Sequence, residues 1–335
     1  MFLGPSILLD PSVSVCDYRY FGEVLNDGDS FPKYDEMYNI LHKIFGRGLV
    51  TAKGEDHNKQ RKLIGPVFHF APLKLAVPSI EKSAHDVLDN DWVENGFLIT
   101  QESFKFFSLS VIMDFAFYHS FDKEQMRQAW GEIAKLIRSQ FLATQLFGAL
   151  ADYLPTPYNL KILALRRTIG RTLARRAARL RSSGVTRAAA LRAAGESDAP
   201  RSDGGASPGA DQGSGLSIEL GLGLADQLLL AGCPPSRIID ECTTFLFAGH
   251  DTSSNLLAWA VYELACHPAD QLRARAELAR VCGPGPVRAL PQAAAAALEY
   301  VPAVLRETLR LWPPAPQVGL RARSGLTASL PSHGS

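Results

Sequence analysis

The sequence predicts a mainly α-helical protein with a small β portion, and three stretches carry that prediction. Apolar residues recur at Ile238, Cys242, Phe245, Leu246, Gly249, Leu256, Leu257, Ala260, Val261 and Leu264, the three-and-four spacing of a helix buried along a broad face. Residues 75–150 are again helical in pattern, with an aromatic stripe from Phe97 through Phe107 to Phe121 that reads as core. A further helix opens near Pro302 and stops at Trp312, because Pro313 and Pro314 cannot continue it and bias the preceding residue out of the helical region.

In chain order, Ile7-Leu8-Leu9-Asp10-Pro11 reads as a short buried strand ending in a turn, and residues 15–26 as a helix. Asp56 is a candidate N-cap for a helix through Leu63 that carries His57 and Arg61 on one face. Pro155 and Pro157 break the helical region that follows. Residues 161–192 hold ten basic side chains and no acidic one, which leaves two readings: a solvated arginine-rich helix, or a face that docks on a membrane surface or an acidic partner. Residues 182–215, rich in Ala, Gly, Ser, Asp and Pro, read as a disordered low-complexity loop. After the central helix, residues 269–281 and 290–298 read as two more helices, separated by the turn Cys282-Gly283-Pro284-Gly285-Pro286.

Composition narrows the class. A chain of 335 residues, 46% hydrophobic, can bury a sizeable core, and a net charge of +1 argues against a nucleic-acid partner. The five cysteines, Cys16, Cys233, Cys242, Cys266 and Cys282, are odd in number and contain no C-x-x-C pair, so neither a disulfide framework nor a zinc site is indicated, and a reducing compartment fits. No H-E-x-x-H run exists, which excludes the corresponding zinc hydrolases. No apolar run approaches the ~18 residues of a membrane span.

Within the central helix lies a polar cluster, Ala248-Gly249-His250-Asp251-Thr252-Ser253. Glycine costs about 1 kcal/mol against alanine in a helix interior, and Ser or Thr can divert backbone hydrogen bonds, so bending or widening is expected there. An acid beside a hydroxyl at such an opening makes a small polar groove for a ligand or water. Downstream, Glu307 and Arg310 share a helix face three residues apart, where a guanidinium can grip a carboxylate with two bonds.

The run from Ala248 to Ser253, then Trp259, Tyr262-Glu263-Leu264-Ala265 and His267-Pro268, then Glu307-Thr308-Leu309-Arg310-Leu311 with Pro313-Pro314, resembles the cytochrome P-450 superfamily of heme-thiolate monooxygenases in order and spacing. Gly54 through Arg61 to Pro66-Val67-Phe68 adds a third similar stretch. The resemblance implies a partial cytochrome P-450 fold, mainly α, over residues 1–323, interrupted by the loop at 182–215 and followed by a tail at 324–335 without family pattern. It implies heme as cofactor, with His57 and Arg61 on a propionate. Ala248 and Gly249 would line an oxygen groove, Thr252 would hold a water and donate to the reacting oxygen, and Asp251 would relay protons. Glu307 and Arg310 would be a buried structural pair bracing the thiolate loop, and His250 would point away from the heme.

The same resemblance implies a chain short at both ends. The membrane anchor and proline-rich hinge of eukaryotic members are expected to be absent, and so is the C-terminal heme-thiolate loop, since no cysteine follows Arg310 and Cys282 precedes the Glu-x-x-Arg helix. No metal ligand is therefore assigned. Phe247 and Trp259 are expected to lack partners, and the expressed chain to be molten or aggregated. By family the function is oxygen insertion into an apolar organic substrate using dioxygen and two electrons from an NADPH-dependent flavoprotein reductase. A full-length relative would sit at the endoplasmic reticulum membrane surface, and an anchorless chain in the cytoplasm. Two alternatives stand beside this reading: an isomerase or dehydratase of the same superfamily, against which the Asp251-Thr252 pair argues, and a non-catalytic fragment or gene-model product that does not bind heme.

Overall fold

The computed structural model describes residues 2–5, 11–14, 18–68, 76–92, 101–117, 122–147, 154–184, 223–285, 287, 292–316 and 318–322. Two short strands, β1 (Phe2–Pro5) and β2 (Pro11–Ser14), pair antiparallel with Phe2 opposite Ser14 and Pro5 opposite Pro11. The strand expected at Ile7 to Leu9 lies outside the described residues, and Pro11 opens a strand instead of closing one. Of the helix expected over 15–26, the described part is a 3-10 turn at Tyr18–Tyr20 leading into α1 (Phe21–Asn26).

Helices make the rest: α2 (Asp35–Phe45), α3 (Gly54–Ile64), α4 (Val77–His85) running into a wider π turn (Asp86–Trp92), α5 (Gln101–Phe117), α6 (Lys123–Phe147), α7 (Pro157–Ser182) and α8 (Leu224–Leu230). Then come α9 (Pro235–Cys266), α10 (Pro268–Cys282), α11 (Gln292–Ala296) and α12 (Tyr300–Leu311). The run is broken at the prolines as expected, with 154–156 non-helical, and Pro157 then starts α7: its missing N–H costs nothing in a first turn, and Thr156 Oγ1 accepts from the Asn159 N–H at 3.2 Å. Asp56 is not a cap either. α3 begins two residues earlier, and the Asp56 carboxylate is held by Arg237 of α9 at 2.9 Å.

The central helix α9 touches α2, α5, α7, α8, α10 and α12, most extensively α5. Ile238, Cys242 and Leu246 of α9 are buried in one cluster with Leu109, Met113 and Phe117 of α5 and Ile162, Leu165 and Ile169 of α7. At the far end, the segment after α12 returns to residues 32–34: the Tyr34 N–H bonds Gly319 O and the Arg321 N–H bonds Pro32 O, beside a bridge between Lys33 and Leu320. The loop at 182–215 lies outside the described residues beyond 184, as does the tail at 324–335.

Candidate functional site

Ala248, Gly249 and Asp251 are half-buried astride the midpoint of α9, and Thr252 is exposed. The widening expected here is absent, for α9 is continuous α-helix across the cluster. Thr252 Oγ1 donates to Ala248 O at 2.8 Å, adding a second donor to a carbonyl of its own helix instead of displacing a rung. Ala248 and Thr252, four apart, lie on one face of the helix. Gly249 faces elsewhere. A Cβ there would stand 2.7 Å from Ile112 Cγ1, so its missing side chain lets α9 and α5 touch. Asn255, one turn past Thr252, accepts from Gln101 Nε2 of α5 at 2.7 Å.

His250 points into the core, between Trp130 and Phe247 at ring-centroid distances of 5.8 and 6.2 Å, with Nδ1 2.8 Å from Leu246 O. Burial pushes the imidazole's pKa down, which keeps it neutral. Phe247 is not unpartnered as expected, since Phe45 and Trp130 lie 5.0 and 5.7 Å away. Trp259 is covered too: Trp312 stacks on it at 4.1 Å and 6°, and Trp312 Nε1 donates to Glu263 Oε1 at 2.7 Å. The turn at the end of α12 supplies the partner that sequence reasoning sought farther along the chain.

Glu307 and Arg310 are brought together by two bonds, Nε to Oε2 at 2.8 Å and Nη2 to Oε1 at 2.6 Å. The guanidinium's hydrogen bonds hold the Glu307 carboxyl below the usual carboxylate range. The pair is not buried, however, with 66% of the Arg310 and 56% of the Glu307 side chain exposed. Their helix is anchored at its start by Glu277 of α10, whose carboxylate accepts from the backbone N–H groups of Glu299, Tyr300 and Val301 at 2.8 to 3.0 Å. That satisfies N-terminal donors which otherwise have no intrahelical acceptor.

His57 and Arg61 lie one turn apart on α3, His57 half-buried with Nδ1 3.4 Å from Asn58 Oδ1 and Arg61 exposed. Two contacts tie this segment to α9: Asp56 meets Arg237, and in the 3-10 turn after α3 Phe68 stacks on Phe245 at 5.2 Å. Phe245 is one turn before Ala248, so this segment ends beside the polar cluster.

Sequence reasoning missed a clamp at the start of α9. Asp240 accepts from the Arg47 N–H at 2.9 Å and from Arg166 of α7; Glu241 accepts from the Leu49 N–H at 3.0 Å; Arg237 donates to Arg47 O. The loop fits because Gly46 has φ +56° and lies so near the Asp240 carboxylate that a side chain there would strike it. Glu241 is wholly buried, and its Oε1 has no partner among the described residues. Burial raises its pKa from the ordinary 4.5 to about 7. The available signal was two adjacent acids inside an apolar stripe.

A heme would find Ala248 and Thr252 on one face of α9 and His57 with Arg61 on one face of α3. A thiolate ligand for its iron would have to come from a cysteine outside α9. Cys242 and Cys266 lie on α9 itself, Cys242 buried with its thiol pushed up by burial. Cys233 and Cys282 flank α9 and end α10. Among the described residues, no group of three or more His, Cys, Asp or Glu side chains could hold a metal ion.

A helical core threaded by one long helix with an Ala-Gly-x-Asp-Thr run, beside a short helix with a closed Glu-x-x-Arg pair, defines the class. The sequence matches the Cytochrome P450 family over residues 6–194 and 224–324, and the chain belongs to that family. Among its relatives, Cytochrome P450 734A1 of Arabidopsis thaliana is 29% identical over 97% of this chain and 57% of its own length. The 7-deoxyloganic acid hydroxylase of Catharanthus roseus is 27% identical over 91% of this chain and 56% of its own. The heme domain of a cytochrome P450DA mutant shares the fold, with a TM-score of 0.59 and 22% identity over 86% of this chain and 58% of that one. The chain thus spans a little over half the length of these relatives, and the fold is mainly α and partial for the family.

Proposed function

We propose that the chain carries the distal half of a heme-dependent monooxygenase site, for insertion of one oxygen atom from dioxygen into an apolar organic substrate. The observation that supports this most is the Ala248-to-Thr252 run on a continuous central helix within a chain of this family. A bound heme would supply dioxygen activation after two electrons, which a flavoprotein reductase drawing on NADPH would deliver. His57 and Arg61 would hold its propionates, where a guanidinium offers a charge-assisted fork.

The rest follows from the chain's own groups. Thr252 is exposed and keeps its lone pairs free while its proton rests on Ala248 O, so it can accept from a water and, on rotating, donate to a neighbouring oxygen. Asp251, half-buried and one residue before it, would pass a proton from solvent to that water. Ala248 leaves space beside the hydroxyl that a larger side chain would fill. A full-length form would work at the endoplasmic reticulum membrane surface.

The second reading, a chain that does not hold heme, draws on the positions of the four described cysteines. The reduced carbon monoxide difference spectrum of the purified chain after incubation with heme separates the two. A Soret band at the thiolate-ligated position supports catalysis by this chain; a band typical of imidazole or free heme confines the family assignment to ancestry.

A further inference from the structure

We propose that Glu241 is a proton-operated latch on the loop 46–53, which lies shut over the start of α9 while Glu241 carries its proton and swings open when that proton leaves. The loop is built to move as one piece. Gly46 at the end of α2 and Gly54 at the start of α3 both hold positive φ, +56° and +52°, and bracket it with two pivots. Between them the buried Thr51 hydroxyl donates to Gly46 O at 2.7 Å with Gly48 O at 3.0 Å, and the Thr51 and Ala52 N–H groups bond Gly48 O, which ties the loop to itself. Asp240, Glu241 and Arg237 of α9 hold its first half through the backbone of Arg47 and Leu49. Lys33 holds the second half, donating to Val50 O and Ala52 O at 2.7 and 2.9 Å.

Glu241 is the grip that a proton alters. Its side chain is wholly buried; Oε2 takes the Leu49 N–H, and Oε1 has no partner among the described residues, so the closed loop offers that oxygen neither water nor a donor. The charges that act on it are Arg237 and Asp240 of its own helix and Asp56 of α3. Around them, Arg166 of α7 holds Asp240, Arg47 of the loop acts on Asp56, and Cys242 stays a thiol because burial, with Glu241 and Asp226 of α8, pushes its pKa up. The Leu49 N–H and Arg237 favour the anion, both aspartates oppose it, and burial outweighs all of them. An ionised Glu241 under a closed loop is therefore a trapped charge. The helices beside it are locked by Arg166 to Asp240 and Arg176 to Asp226, so the loop with its two pivots is the element that yields. Its release frees the first turn of α3, where Asp56 and His57 lie. The proposal concerns this opening alone and stands whether or not the chain binds heme.

Native-state hydrogen exchange of the whole chain, read at single amides and corrected for the intrinsic effect of pH, tests it. The closed loop holds the proton more tightly than the open one, so closure is full below pH 4.5 and is lost as pH rises to 7. Opening at the Arg47 and Leu49 amides should accordingly grow by up to about 300-fold across that range and level off above it. A little urea should leave these two amides unmoved while those of Met113 and Leu246 respond, since a local opening exposes little surface. Glu241→Gln, neutral at every pH, should flatten the profile. Lys33→Gln should raise the opening about tenfold at every pH and leave the slope in place. The wild-type profile is decisive without any variant: no change between pH 4.5 and 7 overturns the proposal. So does an equal slope in Glu241→Gln, or urea sensitivity at Leu49 equal to that at Leu246, which assigns the exchange to unfolding of the whole chain.

Discussion

The two halves of α9 live in different solvents. Of its ten buried residues, eight precede Asp251 and only Ser254 and Ala260 follow it. The first half is clamped by a loop from far along the chain and packed on α5 and α7, while the second shares an exposed flank with α12, where Tyr262, Leu309, Leu311 and Trp312 remain open. Ala248, Asp251 and Thr252 lie where one regime gives way to the other. The proton relay proposed for them would need such a border, since it must reach water at one end and exclude it at the other.

Two tryptophans give the comparison its largest test. Trp130, buried against Phe247 and His250 on the first half, should lose about 4 kcal/mol of unfolding free energy as Trp130→Ala in urea titration, because a large cavity opens in packed surroundings. Trp312→Ala on the second half should lose about 1 kcal/mol, the worth of a stacked pair at an open site. Similar losses would erase the distinction between the halves.

Glu241 comes between them in size. Its folded pKa is raised, so the native state binds its proton more tightly than the unfolded chain does. Stability is therefore full below pH 4.5 and falls as pH rises toward 7, by up to about 3 kcal/mol. Urea midpoints across that range should show the decline, and Glu241→Gln should flatten it. An unchanged slope in the variant would locate the proton elsewhere.

The smallest effects belong to the residues expected to do chemistry. Thr252→Ala removes only a bond to its own helix and adds a better helix former, so a gain of about 0.5 kcal/mol is expected by thermal unfolding. Glu307→Gln should leave the transition unmoved, since its pair is exposed. A marked loss in either would mean that the fold, and not only the site, leans on the motif.

Helices were legible because their apolar spacing and prolines are local signals. Where expectation failed, the cause was a partner remote in sequence. Asp56 reads as a cap until Arg237 arrives 181 residues later, and Asp240 and Glu241 give no hint of Arg47 and Leu49. Arg166 and Arg176 look like members of one solvated run, yet each turns inward to a buried aspartate while their neighbours stay outside. The motif cluster was legible as a pattern; its continuous helix and the packing of Gly249 on Ile112 were not, because both depend on α5.

The Glu277 cap has a kinetic consequence. A twelve-residue helix such as α12 is marginal by itself in water. Its cap lies only 22 to 24 residues upstream, so the closing loop is short and its entropy cost small. α10 and α12 should accordingly order and fray as one cooperative unit, with amide exchange in both slowed together. A ribosome that has released α12 has already released its cap, so Glu307 and Arg310 can meet during synthesis, before this hairpin docks on the central helix.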